Sequence, residues 1–383
     1  MNLHTKLHEV FTRLYGKPAI SVRSPGRVNL IGEHTDYNQG LVLPAAINKN
    51  IWLIVSPRND SEIHLHSMDY GQNHQGNIHQ LERSTLLWPD YILGVVSRLG
   101  MRGLEVKGFN LAFTGDIPLG GGLSSSAALE CATAFALNEL YSLGLTRMDM
   151  ALISQAAENE FVGVKVGLMD MFASMFGKKG SLIKLDCRSN DYQYIPFLAK
   201  DISIVLFDTQ VKHSLASSAY NERRSQCEEG VKLIARHNPG VTSLRDATLE
   251  MLINFVKPHN ELVFKRCKYV VEEILRLEAG VLDIERNDFA AFGRRMYETH
   301  DGLQHLYEVS APELDILVDL VRDETGVIGA RMMGGGFGGC TINLVKKEDV
   351  ESLTRKVSSG YFESLGMEPK TYVVDIEDGT SLL

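Results

Sequence analysis

Pro118-Leu119-Gly120-Gly121-Gly122-Leu123-Ser124-Ser125-Ser126-Ala127 follows a β-type run, Phe109 to Thr114, and opens a helical stretch, Ala127 to Tyr141, that is almost free of helix breakers. That order suggests an anion site. Consecutive glycines let the backbone approach a ligand closely, and the free N–H groups and positive dipole end of the following helix favour phosphate. Three serines add hydroxyls that can bond phosphate oxygens or ligate a metal. The loop is not a P-loop, which needs Gly-Lys-Ser/Thr at its end, and it lacks the Gly-x-Gly-x-x-Gly spacing of a dinucleotide fingerprint. Taken alone it also fits a flexible Gly/Ser turn. A second cluster, Gly334-Gly335-Gly336-Phe337-Gly338-Gly339, sits between a helix and a strand in the other half of the chain, where a tight hairpin is the competing reading.

Outward from the loop, α and β patterns mix without regular βα alternation, so an α+β architecture is expected rather than a doubly wound parallel sheet. An amphipathic helix is read over Met1 to Gly16, with β-type runs at Ile51 to Val55 and Ile63 to His66. Met148 to Phe161 reads as a second clear helix beside the loop. A strand pair, Ser181 to Leu185 and Ile202 to Phe207, brackets a polar turn region. Beyond it come helices at Tyr220 to His237, Glu261 to Leu277, Asp288 to His300 and Pro312 to Glu324, then strands at Thr341 to Val345 and Thr371 to Ile376. A chain of 383 residues exceeds the usual single-core length, so two domains are expected, 1–197 and 198–383, with a cleft between them.

With 44% apolar and 23% charged residues, the composition is that of a globular protein able to bury sizeable cores. The net charge of −9 is spread along the chain, and no basic arm, zinc-finger spacing or aromatic-basic interleaving answers a nucleic-acid backbone. Five widely spaced cysteines without a Cys-x-x-Cys pair suggest neither a disulfide framework nor a zinc site, so a reducing, cytoplasmic setting is expected. The first helix is not a signal peptide, and no apolar run approaches the roughly 20 residues that a bilayer needs. No membrane partner is expected, and the chain is read as a monomer.

A third segment carries the substrate signal: Gly26-Arg27-Val28-Asn29-Leu30-Ile31-Gly32-Glu33-His34-Thr35-Asp36-Tyr37-Asn38. A sugar offers only hydroxyls, and Glu33, His34 and Asp36 supply fixed acceptors and donors within four residues. A solvated turn is the alternative on composition alone. Together the three segments resemble the GHMP kinases, the superfamily of galactokinase, homoserine kinase, mevalonate kinase and phosphomevalonate kinase. Pro118 to Ala127 is similar to its second motif, Arg331 to Cys340 to its third, and Gly26 to Asn38, nearly residue for residue, to the galactokinase signature.

The resemblance implies a two-domain GHMP-type fold with the active site in the cleft, and ATP-dependent phosphorylation of the anomeric hydroxyl of galactose, the entry to galactose catabolism. It implies Asp170 as general base, from Gly167-Leu168-Met169-Asp170, with Arg27 as the cation beside it. Glu33, His34, Thr35 and Asp36 contact the sugar, as does Tyr220 from the second domain; for Tyr220 a capping aromatic at a helix start is the alternative. Gly120, Gly121, Gly122, Leu123, Ser124, Ser125 and Ser126 cradle the nucleotide phosphates, with Ser67 near the base. Ser126 and Glu158 ligate Mg²⁺, although Glu158 alone reads equally as a solvated surface acid. Three positions depart from the family: Met171 for Gln, Val166 for Cys and Ala219 for Glu. Loss of the Gln donor is expected to change how the Asp170 loop is held. Rival readings are a kinase for N-acetylgalactosamine or arabinose, and a sugar-sensing regulator without transfer, whose phosphate loop is shortened where Ser124 to Ala128 is intact here.

Overall fold

The computed structural model describes residues 2–118, 120–212 and 216–383. Helix α1 (Leu3–Tyr15) precedes strands β1 (Ile20–Asn29), β2 (Leu41–Val42), β3 (Pro44–Pro57), β4 (Glu62–Ser67) and β5 (Gln72–Asn77). Helix α2 (Trp88–Met101), strand β6 (Phe109–Gly115) and helices α3 (Ser125–Tyr141), α4 (Arg147–Ala156) and α5 (Met169–Phe176) follow, then strands β7 (Ser181–Asp186), β8 (Tyr192–Pro196) and β9 (Ile202–Lys212). The second half holds α6 (Ala216–Ala235), the single turn α7 (Leu249–Met251), α8 (Glu261–Glu285), α9 (Phe289–Gly302) and α10 (Pro312–Arg322). It closes with β10 (Val327–Met332), β11 (Gly338–Lys346), α11 (Val350–Leu365), β12 (Lys370–Val374) and β13 (Ser381–Leu382).

Three sheets result, in the orders β13-β1-β3-β6-β4-β5, β10-β11-β9-β12 and β2-β7-β8. This is the expected α+β class. The first sheet packs its apolar face on α2, α3 and α4 in one large core, while α6 and α8 build a second core and β9 with α10 and α11 a third. The tail returns to the first sheet: Leu382 and Ser381 pair with Val22 and Arg23, and the Thr380 hydroxyl meets Ser24 Oγ at 2.8 Å. Among the described residues no helix is long and apolar enough to cross a membrane.

One expectation needs correction. Ser181 to Leu185 and Ile202 to Phe207 are both strands, but they do not pair with each other; β7 lies between β2 and β8, and β9 lies at the centre of the second sheet. An apolar run marks a strand without naming its partner, and β8 is so largely exposed that it reads as loop.

Two backbone features aim the site. The β1–β3 register shifts between Pro25 and Arg27, since Pro25 has no N–H to give, and Arg27 N instead donates to Leu123 O of the glycine loop at 3.2 Å. In the second half, α9 lies backbone to backbone on β10: a Cβ on Gly293 would stand 1.8 Å from Ile328 O. Replacing Gly293 by Ala is therefore expected to cost about 3 kcal/mol through overpacking, read as a lower urea midpoint at unchanged slope. An unaltered midpoint would show that α9 can retreat without loss.

Candidate active site

Arg27, Glu33, His34, Asp36, Asp170 and Tyr220, scattered over nearly 200 residues of sequence, line one cavity of about 180 Å³ together with Val166, Gly167, Met169, Gly334 and Gly335. The first motif forms its floor. After β1 the chain turns through left-handed backbone at Gly32 (φ +94°), His34 (φ +61°) and Gln39 (φ +57°), with a 3₁₀ turn at Asp36–Asn38. Asn38 Nδ2 donates to His34 O at 2.9 Å, tying the turn to itself. Thr35 is fully buried, and its hydroxyl reaches Gly32 O and Leu41 O, so its side chain braces the loop instead of facing the cavity.

Glu33 receives the N–H of Gly334 at 2.8 Å and two Arg331 contacts at 3.1 and 3.2 Å, all on Oε1. Its Oε2 is the oxygen left for a ligand. Arg331 is fully buried and also donates to Leu30 O and Asn29 O, stitching the third motif to the first. Sequence reasoning gave Arg331 no role. The available signal was a lone cation in the apolar run before Gly334.

His34 is buried, and desolvation lowers its pKa to about 4, so the ring is neutral at physiological pH. Its Nδ1 meets Tyr37 OH at 2.8 Å, and Tyr37 OH meets Tyr307 OH at 2.7 Å, while Nε2 is buried without a hydrogen-bond partner. That leaves one ring nitrogen for a ligand. Tyr220, brought by α6, sets its ring 5.4 Å from both His34 and Tyr37, so it closes the cavity and is no mere helix cap.

Asp170 sits in the first turn of α5. Arg27 Nε donates to its Oδ1 at 2.7 Å and Ser124 Oγ to its Oδ2 at 2.6 Å. Burial works against the Arg27 charge, but Asp170, Glu33 and Asp36 outweigh it and leave the pKa above the ordinary arginine value. The 164–170 segment is held by Asn159 and Gln155: Val166 N donates to Asn159 Oδ1 at 2.7 Å, and both amides donate to Val166 O. Met171 itself points into the core, fully buried, so the segment's anchor lies at Asn159 and Gln155. Val166 lines the cavity.

Asp36 is an acid perturbed by its place in the cavity wall. Burial, then the neighbouring Asp170, raises its pKa to about 7, partly offset by the Tyr37 N–H at 2.9 Å. A group raised from about 3.8 to about 7 lends the fold stability that is complete below the lower value and lost as pH rises through the upper. Asp36→Asn is therefore expected to stabilise the ligand-free protein on the order of 3 kcal/mol at pH 8 and hardly at all at pH 4. Urea midpoints of parent and variant at the two pH values check this; an equal gain at both would remove Asp36 as the cause.

The glycine loop lies against the third motif. A Cβ on Gly334 would stand 3.4 Å from Gly122 O, and one on Gly339 3.3 Å from the Gly121 carbonyl carbon. The two backbones meet there, and positive φ at Gly120, Gly122, Gly334, Gly336 and Gly339 calls for glycine in both clusters. Gly120, Gly122 and Ser124 are left-handed, and among the described residues no carbonyl of the preceding turn accepts from the N–H groups that open α3 at Ser125. Leu123 is buried, and Leu119 lies outside the described residues.

Glu158 does not follow the helix expected over Met148 to Phe161 to its end: α4 stops at Ala156, and a π-helical turn, Ala157–Val162, carries the acid inward. It is 6% exposed, which excludes the solvated surface acid. Ser126 Oγ donates to it at 3.3 Å, and burial with Asp170 nearby raises its pKa to about 7. Beside it Glu130, fully buried, has no donor on either oxygen and a pKa well above the ordinary range, from burial and Glu158. Among the described residues no cluster of three or more His, Cys, Asp or Glu could hold a metal alone. Ser67 ends β4, fully buried, its hydroxyl accepting from Tyr70 N at 3.4 Å, and is not part of the cavity.

Three family models match the chain: the galactokinase galactose-binding signature over residues 9–57, the GHMP kinases N terminal domain over 90–178 and the GHMP kinases C terminal over 281–363. Galactokinase of Roseiflexus sp. (strain RS-1) is 38% identical, over 98% of this chain and 96% of its own. Galactokinase of Clostridium beijerinckii is 39% identical over 97% and 96%. The crystal structure of Lactococcus lactis galactokinase complexed with galactose covers all of both chains at 33% identity, with a TM-score of 0.96. Mevalonate kinase of Methanococcus jannaschii, at 20% identity and a TM-score of 0.64 over 95% of this chain and all of its own, shares the fold alone.

Proposed function

The chain belongs to the galactokinase family within the GHMP kinases, and on that premise we propose that its cavity holds galactose with the anomeric hydroxyl facing Asp170 and the ATP phosphates on Gly120 to Ser126. It is a sugar kinase that converts galactose and ATP to galactose 1-phosphate and ADP. The observation that carries the site assignment is the convergence of Asp170, Arg27 and Ser124 with Glu33, His34 and Asp36 on one cavity.

Glu33, through its free oxygen, His34, through Nε2, and Asp36 bond sugar hydroxyls; Tyr220 covers the ring, and Thr35 serves by bracing the loop. Asp170 accepts the proton of the anomeric hydroxyl as the bond to phosphorus forms. Arg27 steadies the carboxylate and offsets charge developing on the transferred phosphoryl. The loop amides and the α3 dipole orient the nucleotide phosphates, so that catalysis is mostly positioning and charge neutralisation. Ser67 is assigned to the neighbourhood of the base, beside the strand that leads into the loop. Ser126 and Glu158 are hard oxygen donors that would hold magnesium, and the ion would supply neutralisation of phosphate charge. Both lobes contribute to the cavity, the first through residues 1–197 and the second through Tyr220 and the third motif. A monomer in a cytoplasmic setting completes the reading, the setting in keeping with five free cysteines.

ADP release coupled to a reporter enzyme, measured with galactose, its 2-acetamido derivative, glucose and arabinose, tests the reading. Turnover led by galactose is expected. Preference for another sugar would transfer the assignment to a sibling kinase, and binding of both ligands without ADP release would make the chain a sensor.

A further inference from the structure

Two residues on successive turns of α8 hold the sugar loop from behind. Glu273, fully buried, accepts the N–H of Gly32 on Oε1 at 2.8 Å. Tyr269, also fully buried, donates its hydroxyl to Glu33 O at 3.1 Å. One helix thus supplies an acceptor and a donor to consecutive residues of the loop, four positions apart and so on one helix face. The Tyr269 ring lies 4.9 Å from that of Tyr307, whose hydroxyl continues through Tyr37 to His34.

A buried carboxylate is a poor filler for a helix interface, since its desolvation must be offset by donors. Here the donors are the Gly32 N–H, the Thr299 hydroxyl at 2.9 and 3.1 Å, and Arg276. Thr299 and Arg276 come from the second lobe; only Gly32 belongs to the sugar loop. Gly32 could not sit there otherwise, because its left-handed backbone is pressed against the same helix: a Cβ would stand 2.5 Å from Leu277 and 2.7 Å from Leu41 O. His34, two residues on, is left-handed without being glycine, a conformation that persists only where surroundings enforce it. Among the described residues neither Tyr269 nor Glu273 hydrogen-bonds the phosphate loop.

We propose that Glu273 and Tyr269 are positioning residues of the galactose site, fixing Gly32 and Glu33 so that the left-handed turn presents Glu33, His34 and Asp36 in register with the sugar hydroxyls. The proposal rests on the reading of Gly32 to Asn38 as the galactose loop. Its signature is a selective one: affinity for galactose falls while handling of ATP does not.

The test uses the full chain with Glu273→Gln, Tyr269→Phe, Thr299→Val and Thr299→Ser, assayed by ADP release with galactose and ATP varied separately. Glu273→Gln is expected to raise the galactose KM about 10- to 100-fold, as loss of a supporting shell does at other sites. Tyr269→Phe, which keeps the ring and loses one hydrogen bond, should raise it about 3- to 10-fold. The ATP KM should stay within about 2-fold, and Thr299→Ser, which keeps the hydroxyl, should behave as wild type where Thr299→Val does not. Glu33→Gln is the control for the loop itself. If Glu33→Gln raises the galactose KM while Glu273→Gln and Tyr269→Phe leave it unchanged, the positioning role is wrong. If Glu33→Gln also leaves it unchanged, the loop assignment falls and the proposal with it. Parallel rises in both KM values would equally overturn it, by showing a general loss of structure. Should Glu273→Gln not fold, Tyr269→Phe decides alone.

Discussion

Replacing Asp170 by Asn is expected to lower kcat by about 10² to 10⁴ while galactose still binds, because the amide keeps the shape of the carboxylate and cannot take a proton. The geometry specifies the loss. Arg27 Nε and Ser124 Oγ each give one hydrogen bond to Asp170, one to each oxygen. An amide oxygen can accept from Arg27 Nε while its NH₂ donates to Ser124 Oγ, whose hydroxyl rotates to accept, so the side chain keeps its place and the loss is that of the base. Galactose binding followed by calorimetry should change only a few-fold. Unchanged turnover would dismiss Asp170 as the base.

A second large effect is expected from one methyl group. Gly167 lies where the first motif and the Asp170 segment touch, and a Cβ there would stand 1.8 Å from Asp36 Oδ2 and 2.3 Å from its carboxyl carbon. No rotation of the methyl relieves that, so either Asp36 leaves the sugar or Val166 to Asp170 moves as a unit. A displacement of about 1 Å costs on the order of 10²-fold in such sites. Gly167→Ala is therefore expected to lower kcat/KM for galactose at least about 10²-fold. Because the clash is local and beside a cavity, the fold should tolerate it, with a urea midpoint close to that of the parent. A variant with near-normal kinetics would mean that Asp36 has room to move and is not the fixed acceptor described above.

The glycine loop shows what the sequence makes legible and where it stops. Its position between β6 and α3, its free amides and its three serines were readable because they depend on neighbours in the chain. That it packs against the third motif was not, since the neighbour of Gly122 O is Gly334, brought there by the second sheet. Arg331 and Glu273 were missed for the same reason. Each bonds the first motif across more than 200 residues, and charged side chains in apolar helices or strands carry no spacing signal that names a distant acceptor. Periodicity alone would leave Glu158 on the surface, and it is buried because the π-helical turn at Ala157 to Val162 rotates it off the exposed face. The partners of β7 and β9 were misjudged because apolar patterning fixes burial and leaves pairing open.

The measurement that bears most directly on the whole reading is phosphorus NMR of the product formed from ATP and galactose. Phosphorus coupled to the anomeric proton, in amount equal to ADP released, is the expected result. Phosphate on another hydroxyl would contradict the placement of Asp170 opposite the anomeric carbon, and ADP formed with inorganic phosphate in place of a sugar phosphate would contradict transfer itself.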